Sequence, residues 1–368
     1  MKVALIHDYL KEYGGAERVL EVLHSMYPEA PVYIAFVDYI GLGAARSRFA
    51  GWDIRTTSAQ YIPGITRRHH TLRFLIPYFW EALDLSEFDL VISSSSGYLS
   101  KSVLTRPETI HISYCHTPPR YLWGYTKQQS RAWYRLWYEN WANVSLRQYD
   151  FYASQRVDRF IANSQEVAGR IAKFYGQTAE VISPPVAVRG EGKAGDEYYL
   201  YIGRLTRSKQ VDLAIQACNQ LNRPLWIVGT GSDEARLRKM ASPCIRFLGS
   251  LPDEEIAGIY ANAKALIFPC AYEDFGIVPV EAMGHGVPVI ALEQGGVRES
   301  VVAYKTGLFF KQATVDSLCN AIEEFESQYF SSYDCIERAW EFSESVFIFK
   351  LQQFIARSLE ERQLSPVF

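Results

Sequence analysis

The sequence predicts an α/β protein of two domains, each with a parallel sheet that helices cover on both faces. Short apolar runs alternate with amphipathic helical patterns along the chain, which is typical of buried parallel sheets. The 368 residues exceed what one hydrophobic core usually serves. A stretch rich in Gly, Lys and Glu over residues 187–197 separates two such series. That composition indicates a linker between domains.

The first half begins with a strand and a helix. The apolar run at residues 3–6 suits a strand buried on both faces, and Gly14 and Gly15 open a helix with apolar residues at helical spacing. Four later apolar runs are predicted as strands of the same sheet, at residues 31–37, 90–93, 109–115 and 159–162. We assign residues 1–186 to an N-terminal domain.

The second half repeats the strand–helix pattern. Five strands are predicted, at residues 198–202, 224–228, 245–248, 265–268 and 287–291, with helices at 211–221, 233–241 and 253–262. We assign residues 187–344 to a C-terminal domain. An amphipathic pattern over 345–362 predicts a last helix that packs back on the N-terminal domain, to which we assign residues 345–368.

Composition and charge exclude several classes of protein. The net charge of −3 and pI near 6.2 give no basic field, so no nucleic acid is expected as a partner. The six cysteines lack metal-ligand spacing and indicate reduced thiols, and no metal site is predicted. No run reaches the roughly 18 apolar residues of a membrane span, and the first apolar run is predicted as a strand and not as a signal peptide. We expect a cytoplasmic protein.

The segment over residues 273–281 carries the clearest chemical signal. Gly276 lets the backbone approach a ligand and Pro279 suits the first turn of a helix, so free N–H groups point to the carboxyl ends of the strands. A diphosphate fits such a place. Glu281 suits a ribose diol, and Glu273 suits the hydroxyls of a sugar.

Two cations follow a strand of the same domain. Arg204 comes directly after Gly203, and Lys209 lies five residues later. The pair is suited to clamp a diphosphate and to neutralise the charge of a departing nucleotide, a role that a metal ion has in some enzymes.

These motifs together resemble the retaining glycosyltransferases of family 4. The resemblance is carried by the spaced Glu273 and Glu281, by the loop of Arg204 and Lys209, by the Gly14–Gly15 turn, and by Asn163–Ser164 after a late strand. It spans nearly the whole chain. It implies the GT-B fold, in which two Rossmann-like domains face each other across a cleft. The N-terminal domain would bind the acceptor, and the C-terminal domain the nucleotide sugar.

The resemblance also implies a role for each matching residue. Arg204 and Lys209 would bind the pyrophosphate, Glu281 the ribose, and Glu273 the transferred sugar. The backbone of Phe275, Gly276 and Ile277 would complete the phosphate site. Gly14 and Gly15 would approach the distal phosphate or the acceptor, and His116 would lie beside the donor sugar. The implied catalytic residues are Glu273, His116, Arg204 and Lys209, and Glu17 is expected to be a helix cap or a surface group.

The implied activity is metal-independent transfer of a hexose with retention of configuration. Residues 114–124 resemble bacterial O-antigen and exopolysaccharide mannosyltransferases, which implies GDP-mannose as donor and a glycan or lipid-linked acceptor in polysaccharide biosynthesis. UDP-glucose and UDP-galactose remain alternative donors. The alternative functions are a nucleotide-sugar epimerase or hydrolase and a non-catalytic nucleotide-sugar-binding subunit.

Three other segments permit competing interpretations. Gly229 and Gly231 follow a strand, but Glu234 replaces the third glycine of a dinucleotide fingerprint, which excludes a dehydrogenase. Residues 66–80 join basic to aromatic side chains and suit either peripheral contact with the inner face of a membrane or a buried helix. The aromatic-rich residues 130–152 suit either acceptor-sugar stacking or a packed helix.

Overall fold

The computed structural model describes residues 1–124, 133–188, 190, 192 and 194–364. The chain divides into two compact units. The first unit combines Met1–Ser183 with the chain from Ile348 onward, and the second is Pro184–Phe347. The divisions lie close to the boundaries predicted at 186 and 344. Val186 belongs to the second unit because its N–H donates to the carbonyl of Phe342 at 2.9 Å and its side chain is buried in that unit's core.

The first unit is built on a parallel sheet. In chain order, its described strands are β1 (Val3–His7), β2 (Val32–Ile34), β3 (Ile54–Thr56), β4 (Leu90–Ser95), β5 (Ile110–Cys115), β6 (Arg159–Ala162) and β7 (Ala179–Val181). They lie in the order β3-β2-β1-β4-β5-β6-β7, and every pair is parallel. The strands β2 and β3 are therefore added on one side of β1, and β4 to β7 are added on the other side.

Helices connect these strands. They are α1 (Gly15–Met26), α2 (Tyr39–Leu42), α3 (Ile65–Arg68), α4 (Ile76–Glu81), α5 (Arg120–Trp123), α6 (Trp133–Ser154) and α7 (Gln165–Tyr175). Short 3-10 helices lie at Gly43–Phe49, Ser58–Tyr61, Arg73–Leu75 and Ser100–Ser102. The two helices beside the candidate site have polar caps: Glu17 reaches back to the N–H of Gly14, and Ser164 accepts the N–H of Val167 at 3.1 Å.

The second unit repeats the architecture. Its described strands are β8 (Tyr198–Ile202), β9 (Leu225–Val228), β10 (Ile245–Gly249), β11 (Ala263–Phe268), β12 (Val289–Leu292) and β13 (Gly307–Phe310). They pair in parallel in the order β10-β9-β8-β11-β12-β13. Its helices are α8 (Val211–Leu221), α9 (Glu234–Met240), α10 (Asp253–Asn262), α11 (Ile277–Gly284), α12 (Val297–Ser300), α13 (Val315–Glu326) and α14 (Ser332–Trp340), with a 3-10 turn at Arg207–Lys209.

The alternation of side chains along β8 explains why both faces of the second sheet are covered. Tyr199 and Tyr201 enter one core cluster, which also holds apolar residues of α8 and α13. Tyr198 and Leu200 enter another cluster, which holds residues of α11 and α14. A strand that is apolar on both faces needs helices on both sides, as the sequence predicts. The fold class of two Rossmann-like parallel-sheet domains is confirmed.

The last helix, α15 (Glu344–Leu364), packs on the first unit. Leu351 is fully buried. Arg159 donates to Glu361 at 2.7 Å, and Arg357 donates to Glu180 at 2.8 Å. The predicted return of the C-terminal helix to the N-terminal domain is thus observed. Among the described residues, no helix has the length and apolar character that crossing a bilayer requires.

Candidate functional site

The two loops that carry the predicted donor-binding residues leave neighbouring strands. β8 and β11 pair in parallel at the centre of the second sheet, where the strand order reverses. In open α/β sheets ligands bind at such a switch point, outside the carboxyl ends of the strands. The loop after β8 carries Arg204 and Lys209, and the loop after β11 carries Glu273 and Gly276.

Lys209 and Glu273 form an ion pair at this edge. Lys209 Nζ lies 2.5 Å from Glu273 Oε2, and the two side chains are 22% and 26% exposed. Burial is the largest single effect and lowers the pKa of Lys209, but the carboxylate of Glu273 together with Cys270 outweighs it, so the pKa is raised. Lys209 is therefore a cation at neutral pH.

Cys270 and Arg204 are neighbours of this ion pair. Cys270 Sγ donates to Glu273 Oε2 at 3.0 Å. The exposed Arg204 lies close enough for its positive charge to repel that of Lys209 and so to lower the pKa of Lys209. The hydroxyl of Tyr201, on β8, donates to the carbonyl of Arg204 at 3.3 Å. The structure thus brings Arg204, Lys209 and Glu273 together at one sheet edge.

Gly276 forms the start of α11. Its φ of +91° is in the left-handed region, and the nearest atom to a Cβ placed there would be 3.6 Å away. The backbone conformation therefore requires glycine, whereas the space does not. The helix begins at Ile277, so its first N–H groups have no partner within the helix. The ring of Phe275 is buried 5.4 Å from that of Phe342, which leaves only its backbone for a ligand. Glu281 is half-buried within α11.

The loop after β12 supports the Glu273 loop and was not predicted from the sequence. Gly296 N–H donates to the carbonyl of Glu273 at 2.9 Å. A Cβ on Gly295 would lie 2.4 Å from that carbonyl oxygen, and one on Gly296 would lie 2.2 Å from the carbonyl oxygen of Asp274. Only glycines permit this approach. A glycine pair in the loop after a strand was the available signal, as at Gly14.

The glycines of the discarded dinucleotide motif have a similar role. A Cβ on Gly229 would lie 2.0 Å from the carbonyl oxygen of Gly203, and one on Gly231 would lie 2.2 Å from that of Leu205. Leu205 N–H also donates to the carbonyl of Thr230 at 2.9 Å. The motif holds the Arg204 loop in place.

His116 lies in the first unit, directly after β5. Its Nε2 is 2.8 Å from Ser94 Oγ, which is 3.0 Å from Nδ1 of the buried His7. Two hydrogen bonds hold its backbone. The N–H of His116 donates to the carbonyl of Ser95, and the carbonyl of His116 accepts from the side-chain amide of Asn163, each at 2.9 Å. Burial and the neighbouring His7 lower the pKa of His116 to about 4, so the ring is neutral at neutral pH.

Gly14, Gly15 and Glu17 join the same network. Gly15 begins α1, and the N–H of Gly14 donates to Glu17 Oε2 at 2.9 Å. The other oxygen of Glu17 lies 3.5 Å from His7 Nε2. Glu17 is a helix cap, as expected, but the alternative of a surface group is wrong because the side chain is buried. His7, in β1, was missed because a histidine inside an apolar run has no motif.

The basic and aromatic residues 66–80 include buried groups. His69 is buried and lies 5.4 Å from the ring of Tyr9. The guanidinium of Arg73, also buried, lies 4.9 Å from the ring of Tyr121. Tyr78 is exposed. The segment therefore combines core packing with an exposed aromatic residue.

The aromatic-rich residues 130–152 are described in part. Residues 130–132 lie outside the described residues. The structure describes the backbone, but not the side chains, of Trp133, Tyr134, Trp137 and Tyr138. Trp141 and Tyr152 are exposed. In the part of the chain that the structure describes, no three His, Cys, Asp or Glu side chains are grouped to hold a metal ion.

Two family models match adjacent parts of the chain. The model for Glycosyltransferase Family 4 matches residues 13–189, and the model for Glycosyl transferases group 1 matches residues 188–342. Together they cover residues 13–342.

Relatives of known name match over part of their length. A GDP-mannose-dependent alpha-mannosyltransferase of Mycobacterium tuberculosis is 33% identical over 129 residues, which is 34% of each chain. The glycogen synthase of the same species is 33% identical over 149 residues, 38% of this chain and 36% of the relative. The chain thus spans about a third of these relatives' length.

Solved structures match over nearly the whole chain. HepE of Anabaena, solved in complex with UDP and glucose, has a TM-score of 0.70 at 18% identity and covers 97% of this chain and 99% of its own. Sucrose-phosphate synthase of Thermosynechococcus elongatus has a TM-score of 0.72 at 16% identity, with 98% and 100% covered. At this identity they establish the fold, which is the predicted GT-B class. From the two family models and this fold, the chain belongs to glycosyltransferase family 4.

Proposed function

We propose that the protein is a retaining glycosyltransferase that transfers a hexose from a nucleoside-diphosphate donor. The observation that carries this proposal is the Lys209–Glu273 contact at the switch point of the second sheet, with Arg204 beside it. A diphosphate needs fixed cations and unpaired N–H groups, and a sugar needs a carboxylate for its hydroxyls. Both kinds of group lie on the loops after β8 and β11.

The proposed roles follow from these positions. Arg204 and Lys209 bind the two phosphates, and the N–H groups at the start of α11 bind the distal one. Gly276 brings that backbone close to the ligand, and Glu281 accepts hydrogen bonds from the ribose. Glu273 faces the transferred sugar. In the first unit, Gly14 and Gly15 approach the distal phosphate or the acceptor. His116 lies beside the donor sugar.

The reaction that we propose retains configuration by attack on the face from which the nucleotide leaves. The acceptor oxygen forms a bond to the anomeric carbon while the bond to the phosphate oxygen breaks, and that phosphate oxygen takes the acceptor's proton. Arg204 and Lys209 stabilise the charge on the departing diphosphate. We propose that the reaction needs no metal ion.

GDP-mannose is the donor that we propose. This choice is supported by relatives that match over part of their length and are named as GDP-mannose-dependent mannosyltransferases. UDP-glucose or UDP-galactose is the alternative donor, because a protein of the same fold was solved with UDP and glucose. The acceptor that we propose is a glycan or a lipid-linked glycan of polysaccharide biosynthesis. With a lipid-linked acceptor, a cytoplasmic protein would touch the inner face of the membrane through residues 66–80, which co-sedimentation with anionic vesicles tests.

A donor-turnover assay tests the function. GDP-mannose, UDP-glucose and UDP-galactose are each incubated with the protein, with and without EDTA and with and without a mannosylated glycan acceptor, and nucleotide release is measured. Release that requires acceptor and survives EDTA supports the proposal. Release without acceptor indicates a hydrolase. A thermal shift with one donor and no release under any condition indicates a non-catalytic subunit.

A further inference from the structure

Four side chains of the first unit form a continuous chain of polar contacts. Glu17 Oε1 lies 3.5 Å from His7 Nε2, His7 Nδ1 lies 3.0 Å from Ser94 Oγ, and Ser94 Oγ lies 2.8 Å from His116 Nε2. They come from α1, β1, β4 and the loop after β5, which meet where the strand order reverses. His7, Ser94 and Glu17 are buried, so water does not compete for these bonds.

The direction of the hydrogen bonds follows from the anionic end of this chain. A carboxylate only accepts, and Glu17 Oε1 faces His7 Nε2, so we take His7 with one ring hydrogen, on Nε2. His7 Nδ1 then accepts the hydroxyl hydrogen of Ser94. The lone pair of Ser94 Oγ accepts Nε2–H of His116. The hydrogen of His116 is thus on Nε2, and its Nδ1 carries the lone pair.

We propose that Glu17, His7 and Ser94 are positioning residues that hold His116 in the Nε2–H tautomer, so that Nδ1 accepts a hydrogen bond from a hydroxyl of a substrate sugar. The part of this inference that concerns the sugar rests on the proposed function. A sugar ring presents hydroxyl donors, and an uncharged imidazole with a fixed lone pair is a directional acceptor for them.

The charges that face His116 agree with a neutral ring. Burial dominates and lowers the pKa of His116 to about 4; a positive charge on His7 acts in the same direction, whereas Asp8 and Glu17 raise the pKa. The Asp8 carboxylate accepts backbone N–H groups of the loop after β4, at 2.8 Å from Tyr98 and 2.9 Å from Ser100. Asp8 therefore holds the loop, whereas Ser94 bonds the His116 ring itself.

Glu17→Gln is the variant that tests this direction. The Gln oxygen still accepts the N–H of Gly14, so the helix cap is kept. Its amide presents N–H to His7 Nε2, which must then accept, so the hydrogen of His7 moves to Nδ1 and every later bond reverses. We expect His116 to change from the Nε2–H to the Nδ1–H tautomer although its own surroundings are unchanged.

The tautomer is measured by the imidazole ¹⁵N resonances of the ¹⁵N-histidine-labelled full chain without substrate, with His116 assigned by its loss in His116→Gln. Ser94→Ala, which cuts the chain, should mix the two forms. Ser93→Ala is the matched control, because Ser93 on the same strand bonds the buried His111 at 2.9 Å and not His116. An Nδ1–H tautomer of His116 in the wild type, or no change in Glu17→Gln, overturns the inference.

Kinetics test the contact with the sugar. Glu17→Gln should lower kcat about tenfold, the value of roughly one hydrogen bond, with little change in the KM of the donor. An inverted tautomer with unchanged kcat overturns the contact with the sugar. If the wild type turns over no donor while the tautomers respond as expected, the proposed function fails and the positioning network stands.

Discussion

At the scale of single residues, the candidate site depends on opposite charges that are held in contact. Lys209 has lost much of its hydration, and Glu273 compensates for that loss. The sequence predicted both residues from their place after strands. It did not predict that Cys270 bonds Glu273. No sequence motif indicates which residue a single loop cysteine contacts.

Lys209→Ala should lower turnover of the donor on the order of 10²–10³-fold, because the departing diphosphate loses a preorganised cation. The measurement is kcat with the donor that the turnover assay identifies. Lys239→Ala, an exposed lysine on α9, is the matched control and should keep wild-type turnover. Wild-type turnover in Lys209→Ala would contradict the assigned role.

Three histidines of the first unit should make the protein sensitive to acid. Burial lowers the pKa of His69 and His116 to about 4 and that of His111 to about 3. The ordinary pKa is about 6.5, so the unfolded chain binds more protons below that value. The free energy of unfolding should therefore fall as the pH drops from 6.5 toward 4, by at most about 1.4 kcal/mol per pH unit and histidine.

Urea unfolding between pH 7 and 4.5 measures this effect. His69→Phe, which keeps an aromatic ring beside Tyr9 and Phe36, should show a shallower decline than the wild type. Equal slopes for the two proteins would show that His69 is not held neutral in the folded state.

At the scale of elements, loops are positioned by glycines of other loops. Gly295 has a φ of +76°, and a Cβ there would lie 2.4 Å from the carbonyl oxygen of Glu273. Gly295→Ala should therefore displace the Glu273 loop and weaken donor binding, in addition to a conformational cost of about 1–2 kcal/mol. Gly51→Ala, at a φ of +84° with no atom within 4 Å, carries the same conformational cost without the clash.

The two glycine variants are compared by thermal melting and by donor titration. Both should melt earlier than the wild type, and only Gly295→Ala should lose affinity for the donor. Equal donor affinity in the two variants would mean that the loop after β12 does not position Glu273.

Most strands could be predicted from the sequence, and the described strands that were missed lie at the edges of the two sheets. The strands β6 and β8 and the helices α8 and α10 begin and end where their patterns predict. The edge strands β3 and β7 were missed, because three residues are too few for a pattern and the middle residue of each is exposed. β13, at the other sheet's edge, was missed as well.

At the scale of the whole molecule, sequence motifs predicted the donor-binding loops but not the network around His116. Arg204, Lys209 and Glu273 lie within short segments of recognisable spacing. The network joins Glu17, His7, Ser94 and His116 across four elements, so only the sheet order brings them together. A residue that acts through a neighbour distant in sequence gives no local signal.

The first unit depends on α15 for its stability. Leu351→Ala removes a fully buried side chain and should lower the free energy of unfolding by about 2–5 kcal/mol. Arg357→Ala, which loses a largely exposed ion pair with Glu180, should cost about 1 kcal/mol or less. Hydrogen exchange localises the effect: β5 and β6 should exchange faster in Leu351→Ala, and unchanged rates there would contradict the prediction.

The return of α15 also affects how the protein is made. Because the second unit is contiguous in sequence and the first is not, a ribosome releases all of Pro184–Phe347 before the helix that completes the first unit. Domains generally fold in the order in which they emerge, whereas here the earlier unit is complete only after the later one has emerged. A nascent chain that stops anywhere before α15 therefore leaves an N-terminal domain with an uncovered apolar surface, which chaperones and proteases recognise.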